Sequence, residues 1–210
     1  MTLRALKILA CIMLLTAGLP ACRTVQPTDA EQAERMQLYE SRLSELRQFE
    51  HWSLEGRLAV SDGEDGGSGH LNWQEQADGS RMDFHGAMGR GAWRLLSDRQ
   101  GAVLEMADGA RFQADSVDEL IRAQLGWEIP VDTLAWWVRG LAAPGEIQFQ
   151  VLDEEGHLNT LHQRDWAIEF GNYRQFGEQQ LPVKMTARQE KKSVKLAIRR
   201  WELGIDRETQ

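Results

Sequence analysis

The pattern that most restricts the fold is a series of short segments in which apolar and polar residues alternate. Trp52, Leu54, Leu58 and Val60 alternate with polar or small residues, as in a half-buried strand. The stretch 61–69 is predicted to form a hairpin tip, and Asp108-Gly109 a tight turn. Further strands are expected near 71–73, 82–86, 92–97, 102–106 and 110–113, and again near 147–152, 158–163, 166–173, 183–188 and 194–203.

Helical signals stand before these strands and between their two groups. Thr28 and Glu31 form a capping-box pair that opens a helix to about residue 46. Ser116 and Glu119 form another, Gly126 ends that helix, and a short helical piece is expected over 132–138. About eleven strands in such a chain predict a mainly β fold, an incomplete, open antiparallel β-barrel with helices covering one side. Such an arrangement can enclose an apolar cavity.

The first 22 residues have the layout of a bacterial export signal. Arg4 and Lys7 precede the apolar run 8–15, and the segment ends with Leu-Pro-Ala before Cys22. A cysteine in that place predicts a lipoprotein in which the thiol of Cys22 receives a diacylglycerol. The alternative is an ordinary secretory signal with a chance cysteine. We expect a signal peptide (1–21), a lipidated tether (22–28), one domain (29–205) and a C-terminal tail (206–210).

Charge and cysteine content exclude several classes of function. The whole chain has a formal net charge of −8, and loss of a basic signal makes the mature chain more acidic, which argues against nucleic acid as a partner. Cys11 leaves with the signal and Cys22 is consumed by lipid, so no thiol is left for a disulfide or a metal site. Arg23 stands where an Asp would retain a lipoprotein at the inner membrane, which favours the outer membrane.

Catalysis is not expected. The five histidines are scattered, and no HExxH, GxSxG or phosphate-loop motif is present. His162 and Asp165 border a predicted hairpin turn, and the acidic stretch 62–66 lacks the ligand spacing of a calcium loop. We therefore expect no catalytic residue, metal or cofactor, and a lipid-modifying hydrolase ranks last among the candidate functions.

Large apolar residues supply the candidate binding surface. The chain has eight Trp but two Tyr and six Phe, and Trp136 and Trp137 are adjacent on a predicted helix, so they cannot share one face. A Trp-rich core and an apolar cavity explain this composition equally well. If there is a cavity, alternation assigns to its lining Trp52, Leu54, Leu58, Trp73, Phe84, Leu120, Ile121, Trp136 and Trp137.

A glycine-flanked methionine is the second candidate. The segment 86–91 joins two predicted strands and contains Ala87, Met88 and Gly89. The Met88 side chain is either a buried gap-filler or a flexible apolar finger for acyl chains.

Four segments in order carry a family resemblance: 52–60 (WSLEGRLAV), 71–74 (LNWQ), 125–131 (LGWEIPV) and 137–144 (WVRGLAAP). Together they resemble the LolB family of outer-membrane lipoprotein receptors. The resemblance implies an incomplete barrel of about eleven strands with a helical lid. It also implies a monomer, anchored by its own lipid in the inner leaflet of the outer membrane and facing the periplasm.

The resemblance also implies a function. Members of the family accept triacylated lipoproteins, through their acyl chains, from the periplasmic carrier LolA and insert them into the outer membrane. The family carries an exposed loop leucine that acts in this release, and Met88 stands at the matching place.

This function agrees with the physics of acyl chains in water. At about 0.8 kcal/mol per buried CH₂, exposing several long chains costs tens of kcal/mol, so they must stay covered during transfer. No nucleotide-binding motif is present, so cargo would move by affinity differences without ATP. The alternative is a structural lipoprotein subunit of an envelope assembly complex with a filled core.

Overall fold

The computed structural model describes residues 27–86 and 91–204. Within them the chain forms three helices and eleven strands. Their order is α1 (Asp29–Arg47), β1 (His51–Ser61), β2 (Gly66–Gln76), β3 (Gly79–Gly86), β4 (Trp93–Asp98), β5 (Gly101–Met106), β6 (Arg111–Ala114), α2 (Val117–Leu125), α3 (Val131–Trp137), β7 (Phe149–Leu152), β8 (Leu158–Gln163), β9 (Trp166–Phe176), β10 (Gln179–Gln189) and β11 (Lys192–Gly204).

All eleven strands belong to one sheet, in the order β6-β5-β4-β3-β2-β1-β11-β10-β9-β8-β7. Neighbouring strands are antiparallel, and β6 and β7 each have one strand neighbour, so the sheet is open. This confirms the predicted eleven-stranded open antiparallel architecture. Among the described residues, no helix combines the length and the apolarity needed to cross a bilayer.

The central strand β1 shows how alternation sets the two faces of the sheet. Trp52, Leu54, Leu58 and Val60 are buried, and β1 pairs with β2 on one side and β11 on the other. The register against β11 shifts after Glu55. The buried side chains of β1 form part of a core that continues across the sheet and beneath the helices.

Side-chain caps define the helices. Thr28 and Glu31 form the predicted capping box at the start of α1. The Ser116 hydroxyl accepts a bond from the Glu119 N–H at 3.2 Å, and Gly126 ends α2 with φ +71°. The Asp118 carboxylate accepts a 2.8 Å bond from the Val131 N–H, which joins α2 to the start of α3. The short helix begins and ends one residue earlier than the predicted 132–138.

The predicted hairpin tip over 61–69 is wrong in length. The tip is confined to 62–65, and β2 already begins at Gly66, paired with Ser61. Gly63 serves the turn with φ +102°, whereas Gly67 serves close packing. A Cβ on Gly67 would lie 2.8 Å from Cζ2 of Trp127, which packs against this part of the sheet.

This contact makes Gly67→Ala a test of the packing between β2 and the α2–α3 connection. The added methyl group would displace Trp127, whose ring also contacts Phe84 and Trp93. We expect the free energy of unfolding to fall by about 1–3 kcal/mol, measured by urea denaturation. Gly171→Ala is the matched control, because its Cβ would lie 3.9 Å from the nearest atom, on Lys184. Equal denaturation midpoints for the two variants would contradict this interpretation.

Candidate functional site

Two adjacent clefts open at one end of the helix-covered face. They measure about 390 and 350 Å³, and they lie beside the β2–β3 turn. Volumes of this size fall within the range of roughly 300–1,000 Å³ that is usual for small-molecule sites. The residues common to both clefts are Trp52, Glu75, Ala77, Arg99, Trp136 and Arg139.

The structure divides the predicted cavity residues into two groups. Trp52, Trp73 and Trp136 line the clefts. The remaining six pack in the buried core and line neither of these clefts; they are Leu54, Leu58, Phe84, Leu120, Ile121 and Trp137. In the described part of the chain, the helix-covered face thus has open clefts above a packed core where we expected one enclosed apolar cavity. A role in acyl-chain binding for these residues stays a prediction.

The adjacent tryptophans take different environments. Trp137 is fully buried, whereas Trp136 is half-buried at the clefts. Across the clefts, the ring of Trp52 lies 5.2 Å from that of Trp73 and 5.6 Å from that of Trp201, measured between centroids. One wall of the site is therefore a cluster of aromatic rings.

Arg139 lies at the centre of the site, and the sequence analysis did not identify it. Its guanidinium lies 5.0 Å from the ring centroid of Trp136 and 5.6 Å from that of Trp52. Nε donates to the Ala135 carbonyl at 3.1 Å and Nη1 to the Leu46 carbonyl at 3.4 Å. Burial lowers the pKa of the guanidinium to about 10. The WVRG motif holds this residue, but no sequence pattern shows that its charge is buried.

Glu75 is the acidic residue of the same clefts. It accepts a 3.0 Å bond from Nε1 of Trp73. Burial raises the pKa of its carboxyl group against the opposing effect of hydrogen bonds. The Glu75 carboxyl group and the Arg139 guanidinium thus share clefts in which an aromatic wall faces further polar and charged residues, Arg99 among them.

A buried amide fixes the segment that follows α3. Gln163 is fully buried, and its Oε1 accepts bonds of 3.0 Å from both Nε1 of Trp137 and the Ala143 N–H. Its Nε2 donates to the Ala143 carbonyl at 2.7 Å. Nearby, the Tyr39 hydroxyl accepts a 2.9 Å bond from the Ala142 N–H and connects this segment to α1. The helices on the sheet are therefore held by a small number of directional bonds.

A further cleft, of about 800 Å³, adjoins the 390 Å³ cleft and shares lining residues with it, including Gln76 and Asp98. Arg81, Arg111 and Gln113 belong to it and are exposed. None of the described residues that line it is aromatic, so the smaller clefts, with their tryptophans, are the better candidate for acyl chains.

Two predicted sites, Cys22 and the segment Ala87, Met88 and Gly89, lie outside the described residues. The strand register shows where the second of them joins the fold. The clefts open beside the β2–β3 turn, at one end of these two strands. Gly86 ends β3 at the opposite end of the same strand pair.

One cluster within residues 27–86 and 91–204 has the composition of a metal site: Asp153, Glu155 and His157. Nδ1 of His157 lies 3.1 Å from Asp153 Oδ2 and 3.4 Å from Glu155 Oε2. The buried imidazole stacks on Tyr173 at 4.2 Å between ring centroids. These contacts are those of a tightly hydrogen-bonded turn between β7 and β8.

Comparison with known proteins gives one consistent result. Residues 50–201 match the family model described as "Outer membrane lipoprotein LolB". A protein of Stutzerimonas stutzeri named "Outer-membrane lipoprotein LolB" is 32% identical, covering 91% of this chain and 92% of that protein. The protein of the same name from Pseudomonas fluorescens is 35% identical, covering 75% and 77%.

The solved structures agree on the fold. A LolA superfamily protein from Nitrosomonas europaea superimposes with a TM-score of 0.50 and 7% sequence identity, covering 79% of this chain and 93% of that one.

The buried amide gives a direct test of what holds the helices. In Gln163→Leu, the Trp137 indole N–H and both backbone groups of Ala143 lose their partner inside the core. We expect the free energy of unfolding to fall by about 3 kcal/mol, measured by chemical denaturation. Gln113→Leu, at an exposed position of β6, should change it by less than about 0.5 kcal/mol. A loss of the same size in both variants would show that the buried bonds add nothing.

Proposed function

The chain belongs to the LolB family of outer-membrane lipoproteins, and on that premise we propose that it accepts triacylated lipoproteins from the periplasmic carrier LolA and inserts them into the outer membrane. Its place is at the outer membrane. The proposal includes attachment through lipid on Cys22, action as a monomer, and no catalytic step.

The observation that carries the proposal is the aromatic cleft at the open end of the sheet. The half-buried ring of Trp136 is reachable from solvent there, and the buried rings of Trp52 and Trp73 lie in the same lining, which gives the partly covered apolar surface that a site for acyl chains needs. The buried core beneath it is continuous with the cleft wall through Trp52 and Trp73. Hydrocarbon that enters the cleft therefore meets further apolar surface.

Three long acyl chains need more room than the clefts supply. We propose that cargo displaces α2 and α3 from the sheet and uses the core residues predicted from alternation. These helices cover the inner face of the sheet, and Leu120 and Ile121 of α2 are almost completely buried. These side chains would lose their contact with the sheet, and acyl chains would bury the same inner face instead. The net free-energy change is therefore smaller than either the cost of displacing the helices or the gain from covering the acyl chains.

The direction of transfer follows from a ranking of affinities. The receptor must bind acyl chains more tightly than the carrier does and less tightly than a bilayer. Its own anchor, joined to α1 by the short segment 22–28, would hold the site near the bilayer and raise the effective concentration of the acceptor membrane.

A transfer assay tests the proposal. The mature lipidated protein in liposomes is mixed with a complex of LolA and a triacylated lipoprotein, without ATP. We expect the lipoprotein to move to the liposome fraction, whereas liposomes lacking the protein leave it with the carrier. Retention of the cargo by the carrier in both cases would reject the proposed function.

Met88 provides a second test, directed at release. In Met88→Glu, a charge replaces the apolar side chain proposed to enter the acyl region, and desolvating that charge is costly. We expect uptake of cargo from the carrier to be unchanged and release into liposomes to be blocked. Met88→Leu is the matched control and should release normally. Full release by Met88→Glu would show that this side chain is passive.

The packed core under the clefts also fits the alternative of a structural subunit of an envelope assembly complex. Titration with a fluorescent fatty acid separates the two functions. A receptor binds the probe, and Trp52 and Trp136 report the binding through quenched fluorescence; a filled structural subunit leaves the probe in solution.

A further inference from the structure

Arg139 is a buried cation without a carboxylate at ion-pairing distance among the residues that the structure describes. Its contacts are two backbone carbonyls and the faces of two tryptophans. Burial lowers the pKa of the guanidinium, and the charge of Glu75, which acts from beyond ion-pair contact, opposes this with a smaller effect. Burying a guanidinium that no carboxylate contacts is costly, and neutral acceptors compensate only in part. A charge kept under these conditions at the wall of a cleft suggests a ligand.

The guanidinium has donor capacity facing that ligand. The hydrogen bonds of the described residues use Nε and Nη1, and Nη2 takes part in none of them. Arg139 lines both clefts, so it lies where they join. A group bound at this point would have the rings of Trp52 and Trp136 on either side.

The charges of the site select the chemistry of that group. Both clefts carry charges of both signs: Arg99 and Arg139 line each of them together with Glu75, and further acidic groups line the larger cleft (Asp78, Asp98 and Asp132) and the smaller one (Glu50). A charged ligand of either sign therefore meets like charges in the site. A neutral carbonyl oxygen accepts from the guanidinium without adding charge to the site. An ester that joins two long acyl chains combines such an oxygen with hydrocarbon that can lie along the aromatic wall.

We propose that Arg139 recognises the head of the cargo by donating hydrogen bonds from its guanidinium to the ester carbonyl oxygens of the diacylglyceryl group. This inference rests on the proposed function and adds that the ester groups of the triacylated cysteine bind at Arg139. The acyl chains then extend over Trp52 and Trp136 towards the core, and the peptide stays at the open end. Arg139 thus sets the depth to which the cargo enters.

Two lipopeptides of equal chain length provide the test. One is a synthetic triacylated cysteinyl peptide with its two glyceryl esters, and the other has both esters replaced by ethers, which removes the carbonyl oxygens. Binding to the mature protein is measured by tryptophan quenching. We expect the wild type to bind the ester at least ten times more tightly than the ether. In Arg139→Met the ester should bind about ten times more weakly and the ether less than twofold more weakly.

The ratio of the two dissociation constants separates recognition from folding, because partial unfolding weakens both ligands equally. Arg35→Met is the matched control. Arg35 is partly buried and also donates to a backbone carbonyl, that of Leu152 at 3.1 Å, but it lines neither cleft and its hydrogen bond does not involve Arg139. It should keep the wild-type ratio even if the protein is destabilised. Arg139→Lys, which keeps a charge and a donor, should give an intermediate ratio.

Three outcomes overturn the inference. A wild type that does not distinguish ester from ether, an unchanged ratio in Arg139→Met, or an equal loss of the ratio in Arg35→Met would each assign Arg139 a structural role alone. If the wild type binds neither lipopeptide, the proposed function itself fails. If it binds both equally, that function stands and only the assignment of Arg139 fails.

Discussion

The structure depends on covering the apolar inner face of a sheet that does not close. An eleven-stranded sheet with two free edges buries a row of large side chains on one face, and Trp52, Leu54 and Trp73 at its centre cannot face water. Strand pairing cannot provide the cover, so three helices do. A cover made of separate helices can be displaced without breaking the sheet, which distinguishes this architecture from a closed barrel.

The directional bonds between helices and sheet are few and specific. Gln163 holds the segment after α3, the Tyr39 hydroxyl connects that segment to α1, and Arg139 links the end of α1 to α3. Further bonds join α1 to the strands, from Arg35 to the Leu152 carbonyl at 3.1 Å and from Gln179 to Glu45 at 3.2 Å. Much of the other attraction is hydrophobic contact, which has no preferred direction and which acyl chains can replace. The physical requirements of a stable fold and of a site for hydrocarbon are therefore met by the same interior surface.

The polar residues of the clefts restrict what that surface accepts. Glu75 and Arg139 share one open end, are not in ion-pair contact, and both have pKa values shifted by burial. The site therefore combines an aromatic wall with cationic donors, Arg99 and Arg139 in both clefts, and with acidic groups, of which Glu75 is common to both. A purely apolar groove would bind any hydrocarbon, whereas polar groups placed in the site allow it to select a ligand.

The sequence alone determined the strand number, the helix caps and the family, because alternation, capping pairs and ordered motifs are local properties of the chain. Alternation also placed Trp52 and Trp73 on the inner face. It did not show that these residues reach a cleft while Leu54 and Phe84 are packed beneath the surface. Only the tertiary structure decided this, since the cover over each inward side chain comes from helices distant in the sequence. For the same reason the sequence did not show the roles of Arg139 and Gly67, because residues that contact them come from distant parts of the chain.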